Sequence, residues 1–459
     1  MARKHKFDFD LIVIGSGAGG SAAATLAAHE GKRVAIVEAD TFGGASPNWG
    51  DVPIQSLLQA AHLYDQARAG SRFGLRTSTV GYNYPSLLNW KDLAVKRTGA
   101  GGNRAYYEDQ GITTLHGTAH FLSPHEINVN RHHYSAASFL VATGAEWKIP
   151  QIQGIESHPP LTPRDLLSQP RLPKSLYIIG GGTTGVELAQ LMATLGVKVT
   201  IAEIASRLLP DYESEAGELL ANLLHKQKGV QILTQTRTVQ IEKENIAYRV
   251  TYNRGGHERT VRVDQVLVCA GRKPNVDLGL ENAGVDYTEK GIEVNHYLQT
   301  TAKHIYAAGD VLGDITGHTH TALLQSRVAA HNILSKRAHL SPDYSATPHV
   351  IFTYPAIATV GLNEDDCLRR DLNIKKSITP LTVLARSNVS DFKNGFVKLI
   401  TNKKGVLLGA TIMAPEAGES IHELALAIKY GMTADQIATT PHAFLTWAEA
   451  IRVAASKIS

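Results

Sequence analysis

The stretch that decides the fold is DLIVIGSGAGGSAAATLAAHEGKRVAIVEAD, Asp10 to Asp40. A short apolar run, Leu11 to Ile14, leads into Gly15, Gly17 and Gly20. An alanine-rich segment of helical composition comes next, and a second apolar run, VAIVE, ends at Glu38. Gly-x-Gly-x-x-Gly alone is weak evidence, because glycine-rich turns are common. Here it succeeds a predicted strand, opens a predicted helix and is closed by an acid at the end of the next strand. In that setting it reads as a Rossmann dinucleotide-binding fingerprint. The first glycine permits a tight turn, the second lets backbone amides approach a pyrophosphate, and the third lets the helix pack on the strand. The helix N-terminus then faces the anion, and Glu38 accepts hydrogen bonds from ribose hydroxyls.

The unit recurs. SLYIIGGGTTGVELAQLMATLGVKVTIAE, Ser175 to Glu203, carries Gly180, Gly182 and Gly185, and its acid, Glu203, falls at the same offset as Glu38. Two such units imply two bound dinucleotides. Three further junctions run from an apolar strand into glycine: SFLVATG (Ser138–Gly144), QVLVCAGRKPN (Gln265–Asn275) and HIYAAGD (His304–Asp310). Ligands of open α/β sheets sit at the carboxyl ends of strands, so these glycines are candidates for close approach to a cofactor, although each alone is also explained as a turn. The Pro-rich KIPQIQGIESHPPLTPRD (Lys148–Asp165) separates the two units, and LSPDYSATPH (Leu340–His349) marks the next boundary. Beyond it, strand-like IATVGL and GFVKLI and helical SIHELALAIKYG indicate a mixed α+β domain.

A chain of 459 residues, 43% of them apolar, is long enough for several packed cores. The net charge of +4 is mild, and the basic block Ala2–Lys6 reads as a solvated tail rather than a nucleic-acid arm. The adjoining FDFDLIVIG is too short and too acidic for a signal-peptide core, and no apolar run is long enough to span a bilayer. A cytoplasmic protein with neither nucleic acid nor membrane as partner is expected. The two cysteines, Cys269 and Cys367, form no paired motif, so a disulfide framework is not expected. Twenty histidines include HTH at His318–His320 and His132–His133. No third ligand falls at a recognisable spacing, and no metal site is assigned.

The whole chain resembles the FAD-dependent pyridine nucleotide–disulfide oxidoreductases. The resemblance rests on the two fingerprints together with VATG, AGRKPN, YAAGD, FTYPAIATVGL and LTWAEAIRVAA, all in the family's order. It implies an α/β fold of two Rossmann-like, three-layer dinucleotide-binding domains and an α+β dimerisation domain. The boundaries expected are 1–149 with 271–343 for FAD, 150–270 for NAD(P), and 344–459 for a homodimer interface. The FAD contacts it implies are Gly15, Gly17, Gly20, Glu38, Gly117, Thr143, Gly144 and Asp310. Gly180, Gly182, Gly185, Glu203 and Gly271 are implied for the nicotinamide dinucleotide. Glu203 favours NADH, since a carboxylate suits free ribose hydroxyls and repels a 2′-phosphate. Arg207, four residues on, weakens that preference and keeps NADPH open.

The chain departs from the family at its chemistry. FGGASPNWGDVPIQSLL, Phe42–Leu58, puts Ser46 and Asp51 at the positions of the family's redox cysteines and Gln55 at that of its lysine. Glu187 matches the glutamate that pairs with that lysine, so a neutral hydrogen bond is the most that Gln55 offers it. Aligned on Glu449, the family's proton-handling histidine is Phe444; mercuric reductases carry tyrosine there and a C-terminal cysteine pair, where this chain reads ASKIS. His442, two residues before Phe444, reads as a structural or solvent-facing histidine.

An ionised Asp51 about 4 Å from a reduced flavin anion would repel it by roughly 4 kcal/mol at an effective dielectric of 20. That would lower the two-electron potential by up to roughly 90 mV. A protonated Asp51 would instead donate to the flavin or act as general acid for an acceptor. Ser46 and Asp51 are also good residues for capping a helix that begins near Val52.

Without a dithiol, electrons leave the flavin directly, to a small-molecule acceptor such as a quinone, oxygen, a metal ion or a second nicotinamide. Disulfide substrates require an attacking thiolate. The expected function is therefore an FAD-dependent NAD(P)H oxidoreductase with a non-disulfide acceptor. The rival readings are a flavin-binding sensor or partner protein without turnover, and a disulfide reductase using Cys269 or Cys367.

Overall fold

The computed structural model describes residues 6–76, 79–98, 103–313, 317–335 and 339–458. Of the basic N-terminal block only Lys6 is among them. The chain forms two compact units. One comprises residues 1–56, 88–148 and 271–342, and the other residues 57–87, 149–270 and 343–459.

In the first unit, parallel strands run in the order Thr113–His116, Val34–Glu38, Phe9–Ile14, His132–Val141 and Ile305–Ala307. The early part of His132–Val141 also pairs antiparallel with Glu126–Val129, which pairs in turn with Ala119–Ser123. Leu11, Ile12 and Val13 are buried. A parallel strand covered on both faces reads as a continuous apolar run rather than an alternating one, and LIVI does. The helix Ala18–His29 comes after the first strand and buries Ala23, Ala24 and Ala27. These small side chains let the helix Thr319–Leu334 come close enough for the Ser326 hydroxyl to accept the Ala23 amide at 3.0 Å.

The second unit holds a four-stranded parallel sheet in the order Gln231–Leu233, Lys198–Ala202, Ser175–Ile179 and Gln265–Val268. Its fingerprint strand, Ser175–Ile179, leads into the helix Thr183–Thr194. The unit also contains an antiparallel three-stranded sheet, Thr236–Glu244, Ala247–Arg254 and His257–Val263. A five-stranded antiparallel sheet has the order His349–Ile351, Ala356–Gly361, Leu407–Ala414, Phe396–Asn402, Ile374–Pro380. The helices Ala417–Lys429 and Glu449–Ser456 contribute Ile421, Leu424, Ile451 and Ala454 to its core.

A buried ion cluster joins parts of this second unit that are far apart in sequence. Lys398 is 1% exposed, and its ammonium donates to Glu213 at 2.7 Å, Glu364 at 2.8 Å and Glu215 at 3.0 Å. Burial alone would lower the Lys398 pKa; its bonds to Glu213, Glu364 and Glu215 outweigh that and raise it. Burial holds Glu213 above the usual carboxylate range against the pull of Lys398. Removing one partner of a buried ion cluster strands the opposite charge at a cost of about 3–5 kcal/mol. Lys398→Met should therefore lower the denaturant midpoint of this unit sharply, and Lys398→Met combined with Glu213→Leu should recover part of the loss.

Candidate functional site: two dinucleotide turns and a Ser46–Asp51–Thr319 cluster

The fingerprint glycines divide into two kinds by what surrounds them. A Cβ on Gly15, at φ +104°, would lie 2.2 Å from the Ala142 carbonyl oxygen, and one on Gly20 would lie 2.0 Å from that of Gly15. The second unit repeats this: Gly180 would meet the Cys269 carbonyl at 2.4 Å, and Gly185 that of Gly180 at 2.2 Å. Those four glycines are required by the protein's own packing. The middle ones are not. A Cβ on Gly182 meets nothing within 4 Å, and one on Gly17 meets only the Gly44 Cα, at 3.7 Å. Both have extended backbones that any residue adopts. Each also precedes a helix that begins without a side-chain cap, so the first amides are left for an anion. The uncapped amides, open in front of Gly182 and bordered by Gly44 at Gly17, fit a pyrophosphate in both units.

The two acids also bind the backbone of their own loops. Glu38 accepts from the Ser16 amide at 3.0 Å, the Ser16 hydroxyl at 2.6 Å and the Asp40 amide at 2.9 Å. Glu203, 7% exposed, accepts from the Gly181 amide at 2.6 Å and the Ala205 amide at 2.7 Å. Each carboxylate ties the amide just after the first glycine to the end of the next strand. A carboxylate has about four acceptor positions, so capacity for ribose hydroxyls remains. Gly117 is placed beside Glu38, its amide donating to the Glu38 carbonyl at 2.8 Å. Tyr107 gave no sign in the sequence, yet its buried hydroxyl donates to the Ser16 carbonyl at 3.0 Å.

The remaining cofactor candidates cluster within the first unit. The Thr143 hydroxyl donates to the Asn275 carbonyl at 2.7 Å, the Asn275 side-chain amide donates to the Thr143 carbonyl at 2.9 Å, and the Asn275 amide donates to the Gly144 carbonyl at 3.0 Å. Asp310 accepts from Arg272 at 2.9 Å, and the Arg272 guanidinium also lies 4.9 Å from the Trp147 ring centre. Gly271, at φ +96°, accepts the Lys148 amide in the same unit.

The segment Phe42–Leu58 packs against the first fingerprint. A Cβ on Gly44 would lie 2.6 Å from the Gly17 Cα, and the Gly43 amide donates to the Ser16 hydroxyl at 2.8 Å. After the short helix Ala45–Asn48, the long helix Asp51–Arg68 begins. Here Ser46 and the exposed Asp51 meet, the Ser46 hydroxyl donating to Asp51 Oδ2 at 2.7 Å. A third residue joins them: the Thr319 hydroxyl donates to the same Oδ2, also at 2.7 Å. The capping expectation is replaced by this arrangement, in which both hydroxyls address the Asp51 side chain. Gln55 lies one turn further along the helix. His318 and His320 flank Thr319, with ring centres 5.6 Å apart. Among the described residues, no three His, Cys, Asp or Glu side chains form a group that could hold a metal ion.

Glu187, in the second unit, is 8% exposed and accepts the Phe352 amide at 2.7 Å. Phe444 is 74% exposed. Glu449 accepts the Leu445 amide at 3.0 Å and so supports the turn that carries Phe444. His442 is structural and not solvent-facing: its side chain is 5% exposed and held between Glu423 and the Thr440 carbonyl, both at 2.9 Å. Cys269 packs behind the second fingerprint, and Cys367 sits in the helix Glu364–Arg369; burial raises both thiols.

Residues 9–326 match the pyridine nucleotide-disulphide oxidoreductase family, and residues 347–455 match that family's dimerisation domain. The chain belongs to this family. A mercuric reductase of Staphylococcus aureus is 34% identical over 452 residues, 98% of this chain and 82% of that protein. A dihydrolipoyl dehydrogenase of Geobacillus stearothermophilus is 34% identical over 448 residues, 96% of this chain and 94% of that one. Among solved structures, the HOCl-induced flavoprotein disulfide reductase RclA of Escherichia coli superimposes with a TM-score of 0.86 at 25% identity, covering 98% of this chain and 100% of that one. LpdA of Mycobacterium tuberculosis gives a TM-score of 0.86 at 26% identity, with 98% and 99% covered. Members of the family bind FAD and use NAD(P)H, and this chain is an FAD-dependent oxidoreductase of that kind. Among the described residues, no helix is long and apolar enough to cross a membrane.

Gly17→Ala should fold but retain little flavin, because its methyl enters the cradle. Gly182→Ala should keep its flavin and bind NADH about tenfold more weakly, a loss of roughly 1.4 kcal/mol. Flavin content by absorbance and the KM for NADH check these outcomes. The pH dependence of stability bears on His318, which burial first and His320 second hold at about 4, with Asp51 pulling the other way. A histidine depressed in the folded state takes up a proton on unfolding. Its contribution is therefore fully present above 6.5 and is lost as the pH falls toward 4. His318→Gln should flatten the slope of Tm against pH across that window.

Proposed function

We propose that this chain oxidises NADH and passes the electrons from its flavin directly to a non-disulfide acceptor, such as a quinone, oxygen, a metal ion or a second nicotinamide. One observation carries the reading. Where relatives carry a dithiol, Ser46 and Asp51 are hydrogen-bonded to each other at 2.7 Å. The two cysteines are buried in other elements with raised thiol pKa values. A thiolate is the form that attacks a disulfide, and burial disfavours it at both positions.

When bound, FAD supplies hydride acceptance from nicotinamide and release of electrons one or two at a time. The chain's own residues bind and orient. The amides after Gly17 receive one pyrophosphate and those after Gly182 the other, with Glu38 and Glu203 at the riboses. Residues 1–149 and 271–343 would form the FAD domain, 150–270 the nicotinamide domain and 344–459 the dimer-forming domain. The match of residues 347–455 to a dimerisation domain supports a homodimer.

The preference for NADH rests on Glu203 and on the position of Arg207. That guanidinium donates to the carbonyls of Pro210 at 2.9 Å and Tyr212 at 3.3 Å and to Asp365 at 3.0 Å. These bonds engage one guanidinium nitrogen, Nη2, and reduce what Arg207 offers a 2′-phosphate against the Glu203 carboxylate.

Mixed with NADH in the absence of oxygen, the purified protein should lose its flavin absorbance and regain it when a quinone is added. A flavin that neither nicotinamide bleaches would refute the reading. The Cys269→Ala/Cys367→Ala double variant should turn over at the native rate with the same quinone. The KM for NADH should lie at least about tenfold below that for NADPH, and Glu203→Ala should narrow the gap.

A further inference from the structure

We infer that Ser16 makes the first dinucleotide turn a lasting seat for FAD, while the second turn, with Gly181 at the same place, exchanges its nicotinamide dinucleotide, and that Tyr107 positions Ser16. The inference rests on the assignment of FAD to the first turn and nicotinamide to the second.

The two turns share their glycines and their acids, so what differs is the residue between the first glycine and the second. In the first turn it is Ser16, which is fully buried. Each of its polar groups has a partner. Its amide and its hydroxyl donate to Oε2 of Glu38 at 3.0 and 2.6 Å. Its hydroxyl oxygen accepts the Gly43 amide at 2.8 Å, and its carbonyl accepts the Tyr107 hydroxyl at 3.0 Å. These partners come from three separate pieces of the unit: the end of the strand Val34–Glu38, the segment Phe42–Leu58 and the helix Arg104–Glu108.

The second turn is tied differently. Gly181 has only backbone groups to offer: its amide donates to Glu203 at 2.6 Å and its carbonyl accepts the Leu209 amide at 3.0 Å. Both partners lie on one stretch of chain, Glu203 to Leu209. A Cβ on Gly181 would crowd the buried Leu208 side chain, at 2.5 Å, so the hydroxyl of the first turn has no room in the second.

Fixing a backbone costs conformational entropy. Where bonds within the protein hold the loop, the contacts to a dinucleotide need not offset that cost. Ser16 thereby keeps the amides after Gly17 aimed in one direction. Differences in affinity between related sites lie mostly in the rate of dissociation, so the more firmly tied turn is the one that retains its ligand. Tyr107 is 1% exposed, and its ring centre lies 5.8 Å from that of Phe42. Burial, with Tyr106 and Glu38 nearby, holds its hydroxyl above the usual phenol range, so it stays a donor. Its bond pairs a buried carbonyl that would be costly to leave unpaired. Ser16 and Tyr107 act through the loop, as positioning residues.

The test measures the two dinucleotides separately and needs no turnover. Release of FAD from diluted holoprotein is monitored by FAD fluorescence, which gives a dissociation rate and, over a dilution series, a dissociation constant. NAD⁺ binding to the same holoprotein is measured by calorimetry. In Ser16→Ala the FAD dissociation constant should rise about 30-fold, for one charge-assisted and one neutral hydrogen bond, and in Tyr107→Phe about fivefold, for one neutral bond. Both increases should appear as faster release, and NAD⁺ affinity should be unchanged in each variant.

A Ser16→Ala variant that retains FAD as the native chain does, or that loses FAD and NAD⁺ affinity alike, would overturn the inference. A native release rate in Tyr107→Phe would refute the positioning role. Tyr107→Phe removes one oxygen from a ring that stays packed, and it decides the question if Ser16→Ala is not recovered as holoprotein. Gly17→Ala separates the inference from the assignment beneath it. If its methyl weakens NAD⁺ and not FAD, the assignment fails. If Gly17→Ala loses FAD while Ser16→Ala retains it, the inference alone fails.

Discussion

The contact between the backbone of Gly20 and the carbonyl of Gly15 governs much of this structure. No side chain fits there, since a Cβ would lie 2.0 Å from the oxygen. The close approach sets the helix Ala18–His29 directly after the strand Phe9–Ile14 and aims its uncapped amides at the open space by Gly17. The same arrangement recurs at Gly180 and Gly185. In each turn an acid from the end of the next strand, Glu38 or Glu203, holds the loop amide.

The segment after Gly44 packs against the first turn and carries oxygen-bearing side chains at Ser46 and Asp51. Ser46, Asp51 and Thr319 form a set of hydrogen-bonding groups that can hold or move a proton but cannot store an electron pair as a dithiol does.

The second unit shows a different constraint. Lys398 is buried among three glutamates, and the mutual attraction of these charges is set against the cost of removing them from water. Arg207 and Asp365 extend the polar contacts toward the loop after Glu203. The loop after Glu203 and the helix Glu364–Arg369 are thereby joined by an ion pair.

Much of the fold was legible in the sequence, because the requirements that produce it are local. A Cβ clash at Gly15 or Gly20, a run of buried strand residues and an acid at a fixed offset all act within about thirty residues of chain, and each leaves a pattern. The absence of a dithiol was equally plain at Ser46 and Asp51. Only the tertiary structure brought Thr319 to Asp51, Tyr107 to Ser16, Glu423 to His442 and three glutamates to Lys398. Each of these contacts joins residues distant in sequence through individual hydrogen bonds or ion pairs. Such a bond has no periodicity, and its partners exist as partners only once the chain has packed.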